Sequence, residues 1–246
     1  KMENVSNHTT TKKSFLSDLF DNSNTKALKQ TLVKIIIVIV FVTIIILSKN
    51  QCFFFEATDG RKLDMALDFW LESATKFYSQ NLIYRNFLII FSGIWMDTWY
   101  FFFLVIYVYR GVGWKEITAF TLFYGIRAFF MGCFELDYPD INVHEDPGYL
   151  SVVAPTGRSA DYFYSGHTGF SWLCSLFLLK FGHKRLFYIG IFVTSLQIYS
   201  ILVTRAHYVI DAYLGFFMSH YFYLLSPYFG SFVNTILPFH DDPRFF

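Results

Sequence analysis

Apolar residues in this chain gather into runs of about twenty, the length that crosses a bilayer, parted by shorter polar stretches. Residues 1–31 are polar, rich in Asn, Thr, Ser and Lys. They read as a flexible arm that rests on a membrane surface through a short amphipathic segment at Phe15, Leu16, Leu19 and Phe20. Residues 32–48, broken only by Lys34, are aliphatic and β-branched and predict a first transmembrane helix. From 62 to 82 the pattern changes: Leu63, Leu67, Trp70, Leu71, Ala74, Phe77, Tyr78 and Leu82 recur every three or four residues, with Asp64, Asp68, Glu72 and Lys76 on the other face. That spacing predicts an amphipathic helix lying on the membrane. Five further apolar runs follow, at 86–108, 117–134, 164–181, 186–204 and 208 to about 226. The polar loop 135–163, with Pro139, Pro147 and Pro155, precedes the fourth span, and Pro227 is expected to end the last.

The expected fold is therefore all-α: a polytopic membrane protein of six transmembrane helices with an amphipathic surface helix after the first. It divides into an arm (1–31), a membrane domain (32–226) whose catalytic core is about 117–226, and a short cytosolic tail (227–246). Composition agrees, with 54% hydrophobic and 22% aromatic residues and a mean hydropathy of +0.38, too apolar for an ordinary soluble domain. A net charge of +1 with no basic cluster argues against a nucleic-acid partner. The three cysteines lack metal-ligand spacing and leave room for one bridge, Cys52 to Cys133.

Loop charges orient the chain. The arm as far as Lys34 carries six Lys against three acids. Arg110 and Lys115 lie between spans two and three, and Lys180, Lys184 and Arg185 between four and five. The loop before span four carries Glu135, Asp137, Asp140, Glu145, Asp146 and Asp161 against Arg158 alone. By the positive-inside rule both termini are cytosolic. The starts of spans four and six then share the lumenal or extracellular face, while the Asn-x-Ser/Thr sites at Asn4 and Asn7 stay unglycosylated.

That face carries the ionisable residues that could do chemistry. His207 and Asp211, four apart at a helix start, share a face, so the carboxylate can hold the imidazole in one tautomer and make it a nucleophile or base. His167 follows Ser165-Gly166 at another helix start, where unbonded N–H groups favour a phosphate oxygen and glycine permits close approach. Arg205 and Arg127 supply positive charge for a phosphoryl group, although an interface anchor is an alternative for Arg205. Asp97, inside span two, suits either a structural pair with Arg127 or a substrate contact. His220, thirteen residues after His207, turns to the far side of its helix and reads as structural; His144, in the polar loop, reads as solvated. The aromatic excess in spans two, three and six reads as lipid-facing packing.

The strings Asp161-Tyr162-Phe163-Tyr164-Ser165-Gly166-His167-Thr168 and His207-Tyr208-Val209-Ile210-Asp211 resemble the two signature motifs of the sphingomyelin synthase family, a branch of the type 2 phosphatidic acid phosphatase superfamily. The resemblance runs from about residue 120 to 223. It implies that His207 attacks phosphorus, that Asp211 orients it, and that His167 protonates the leaving lipid alcohol and then deprotonates the acceptor. The superfamily's phosphatases carry Arg six residues before the second histidine, where Ile201 stands here after Ser200. Their Lys-x6-Arg-Pro motif is missing too: Phe120 and Ala128 take the places of its Lys and Pro around Arg127. These departures favour a transferase and leave phosphate binding to Arg127, Arg205 and Arg158. The resemblance implies no metal and no cofactor. Expected partners are a phospholipid donor, such as phosphatidylcholine or phosphatidylethanolamine, and a lipid alcohol acceptor, ceramide or diacylglycerol, in a Golgi, endoplasmic reticulum, plasma or mitochondrial membrane. Two other readings share the motifs: a lipid phosphatase or phospholipase C-like hydrolase, and a non-catalytic lipid-binding subunit of a larger membrane assembly or homo-oligomer.

Overall fold

The computed structural model describes residues 64–110, 114–133 and 163–236, with positions 32, 35, 36, 39, 139, 143–145, 147, 148 and 151. Among these are six helices longer than one turn and no strand: α1 (Met65–Gln80), α2 (Leu82–Arg110), α3 (Lys115–Cys133), α4 (Gly166–Lys180), α5 (Lys184–Val203) and α6 (Val209–Ile236). The expected arm, most of the first span, Cys52, Arg158 and the sites at Asn4 and Asn7 lie outside the described residues, although Leu32, Ile35, Ile36 and Ile39 are helical and exposed. Among the described residues two helices, α2 and α5, are long and apolar enough to cross a membrane.

Helices α2 to α6 alternate in direction, as polar side chains and small residues at their crossings show. Gln197 of α5 donates from Nε2 to the Ser92 carbonyl of α2 at 2.6 Å, while Gly190 meets Trp99 further along, so the two run antiparallel. On α3, Glu116 accepts from Lys180 Nζ, the last residue of α4, at 2.7 Å. Eleven residues on, about 16 Å along α3, Arg127 reaches the start of α4. The starts of α4 and α6 are therefore neighbours. Gly169 and Gly215 allow it: a Cβ on Gly215 would stand 2.5 Å from the Ser165 carbonyl oxygen. Between the helices, Phe103, Phe120, Phe123, Tyr164, Phe170 and Phe177 build an aromatic core, while Phe87, Phe101, Phe129, Tyr213, Phe217 and Tyr221 are exposed on the outside.

Two local expectations are corrected. The last helix does not end at Pro227 but continues to Ile236. Proline cannot donate to the Tyr223 carbonyl four residues back; Ser226 Oγ donates to it instead, at 2.8 Å, and the helix survives. On α1, Asp64 and Asp68 do not join the outer face. Asp64 caps the helix by accepting from the Ala66 and Leu67 N–H groups, and both acids turn toward the protein beside Leu67, which is fully buried. Phe69 and Trp70 point outward, 85% and 68% exposed, while Glu72 and Lys76 pair on the outside. Burying the unbonded N–H groups of a neighbouring helix start requires an acceptor there, and that outweighs the hydrophobic pattern.

Candidate active site

Ser165 is the N-cap of α4, its Oγ accepting from the Thr168 N–H at 3.3 Å. Its own N–H donates to the Asp211 carbonyl at 2.8 Å, which ties the two motif strings together through backbone. His167 and His207 face one another across this junction, ring centres 6.0 Å apart and planes inclined by 69°. His207 Nδ1 lies 3.4 Å from Asp211 Oδ2, which also accepts from the Tyr208 N–H at 3.1 Å. With the Nδ1 proton directed at the carboxylate, the ring's lone pair sits on Nε2. His207 and Asp211 are 3% and 2% exposed, so their attraction is little screened.

Arg127 is anchored by its Nε donating to the Tyr164 carbonyl at 2.9 Å. The Tyr164 hydroxyl in turn donates to the Phe123 carbonyl, one turn earlier on α3. The guanidinium lies over the start of α4, since a Cβ on Gly166 would stand 3.4 Å from its Cζ. Ser165, Gly166, His167, Arg127, His207 and Asp211 thus lie together at the starts of α4 and α6.

Arg205 has a different setting. Helices α4 and α5 end alike, the N–H groups of the two residues after the cap bonding back into the last turn: Gly182 to Leu179 and His183 to Leu178, Arg205 to Leu202 and Ala206 to Ile201. This motif needs a left-handed residue. Gly182 supplies it at φ +86°, but at the site the residue is Arg205 at φ 56°, which costs about 1 kcal/mol relative to glycine. Such strain is retained where the side chain matters. The Arg205 side chain is buried and its Nη2 donates to Asp68 Oδ1 at 2.6 Å.

Asp97 accepts from Ser151 Oγ at 2.9 Å, and Arg127 donates to the Tyr164 carbonyl. His144 is docked, not merely solvated: its Nδ1 lies 3.1 Å from Thr204 Oγ1, the Val143 N–H donates to the Thr204 carbonyl, and Glu145 pairs with Arg85. His220 stacks on Trp172, as suits a structural residue. The sequence reading missed Asp64 and Asp68 as neighbours of the His207 loop. An aspartate just before a periodic apolar run is an N-cap signal and marks Asp64, but nothing local marks its second bond to α6.

Residues 159–228 match the family model described as PAP2 superfamily C-terminal, a stretch that contains both motif strings. The match supports the type 2 phosphatidic acid phosphatase superfamily, whose members are generally phosphoryl-transfer or hydrolysis enzymes, and does not reach down to the sphingomyelin synthase branch. Neither the curated proteins nor the solved structures searched contain a match.

Proposed function

We propose that this protein is an integral-membrane phospholipid head-group phosphotransferase with six spans and its site on the lumenal or extracellular face. The observation that carries the reading is the facing pair His167 and His207, 6.0 Å apart, with Asp211 behind His207 and the Arg127 guanidinium over Gly166. In the first step His207 Nε2 attacks the donor phosphorus. The bond from phosphorus to the diacylglycerol oxygen breaks, His167 gives that oxygen a proton, and a phosphobase remains on His207. In the second step His167 takes the proton of a ceramide or diacylglycerol hydroxyl. That oxygen attacks phosphorus, and the P–N bond breaks. Arg127 and Arg205 offset charge on the phosphoryl oxygens, and the N–H groups at the start of α4 add to this. Exclusion of water from a buried site favours transfer over hydrolysis.

The test is a liposome assay of purified protein with head-group-labelled phosphatidylcholine and phosphatidylethanolamine, offering ceramide and diacylglycerol as competing acceptors. Labelled sphingolipid or exchanged glycerolipid, lost in a folded His207→Ala variant, is the expected result. Free phosphobase or phosphate as the sole product moves the protein to the hydrolases. No product at all from a folded sample makes it a lipid-binding subunit.

A further inference from the structure

Helix α1 lies outside the family match and carries neither motif, yet it grips the chain on both sides of His207. Thr75 Oγ1 donates to the Val203 carbonyl at 3.0 Å, and Asp68 pairs with Arg205, both before the histidine. After it, Asp64 Oδ2 accepts from the Val209 N–H at 2.7 Å, the first residue of α6, while its Oδ1 caps α1 itself. Between these, Leu67 is buried in one cluster with Ile201, Leu202 and Ala212. Positions 64, 67, 68 and 75 form one stripe of the helix. Ile201, whose place is taken by arginine in the phosphatases, therefore forms the apolar seat of α1.

We propose that α1 positions the catalytic loop, with Asp68 and Asp64 as positioning residues that set the His207 ring against His167. Asp68 supplies a counter-charge for a buried guanidinium in a strained turn two residues from His207, and removing it loosens that turn. Asp64 satisfies an N–H at the positive end of α6. Without it the first turn, which carries Asp211, frays and the hold on His207 Nδ1 loosens. The proposal rests on the reading of His207 as nucleophile.

The experiment uses the full chain in liposomes and compares Asp68→Asn, Asp68→Glu, Asp64→Ala and, on the outer face, Glu72→Gln. Per folded molecule, Asp68→Asn and Asp64→Ala are expected to lower kcat about tenfold or more, with the donor KM within about twofold. Asp68→Glu recovers most of the loss and Glu72→Gln matches wild type. A kcat for Asp68→Asn within about twofold of wild type, or equal losses for Asp68→Asn and Asp68→Glu, overturns the proposal. Amide hydrogen exchange over residues 203–212 supplies an arm independent of turnover. Faster exchange in Asp68→Asn and Asp64→Ala, with Glu72→Gln unchanged, upholds the positioning role even where the wild type transfers no phosphobase and only the functional reading has failed. Unchanged exchange overturns it.

Discussion

Replacing Asp211 with asparagine removes a charge while keeping an oxygen for the Tyr208 N–H, so it separates electrostatic support of His207 from local architecture. As Nε2 bonds to phosphorus, the imidazole becomes positive. A full charge 3.4 Å from the carboxylate is stabilised by about 5 kcal/mol at an effective dielectric constant near 20. With roughly half that charge developed in the transition state, the loss is about 2.5 kcal/mol, or about 70-fold in kcat. The observed separation is long for a charge-assisted bond; contraction to about 2.8 Å during attack raises the loss to about 3 kcal/mol. The expected fall in kcat is therefore about 50- to 200-fold. Donor KM stays nearly constant, because the interaction strengthens only as the ring gains charge on bonding to phosphorus. The assay is initial-rate transfer of labelled head group in liposomes, normalised to folded protein. A kcat within about threefold of wild type, or a raised KM at constant kcat, refutes the assignment of Asp211 as the partner of a charging His207.

Two further predictions concern packing. Gly215→Ala drives a methyl group into the Ser165 backbone, costing about 1–3 kcal/mol; both the thermal midpoint and transfer rate should fall, and an unchanged midpoint contradicts the close approach. Ser226→Ala should cost about 1 kcal/mol by uncovering the Tyr223 carbonyl, yet almost nothing in a Pro227→Ala background, where an N–H reclaims it. Equal costs in the two backgrounds, read from denaturation midpoints in mild detergent, rule out that rescue.

Much of the architecture was legible because polar stretches interrupt the apolar runs where the helices end; α2 to α5 begin and end within about one turn of their expected bounds. The nearness of His167 to His207 and Asp211 was expected from six alternating spans; what the structure describes is that α3 runs antiparallel to α4 and that Gly215 meets the Ser165 backbone, which sets the two helix starts side by side. What escaped depends on neighbours. Pro227 is a helix breaker by itself and becomes harmless only because Ser226 has an oxygen to spare. Asp64 and Asp68 look like solvent-facing charges until the start of α6 and Arg205 stand beside them. The positive φ of Arg205 has no signature of its own, since the turn that demands it is normally written with glycine.

Helix α4 has 15 residues and α5 has 20. The tight turn at Gly182 starts them level, so α5 stands about 7 Å taller at the other end. The chain does not carry His207 onward from that height: the N–H groups of Ala206 and His207 both fold back to the Ile201 carbonyl. His207 is thereby held back against the last turn of α5 and, although outside any helix, is only 3% exposed. On the proposed function, a reacting phosphorus would have to reach a buried ring, which favours one on a slender stem over one embedded in a broad rigid body.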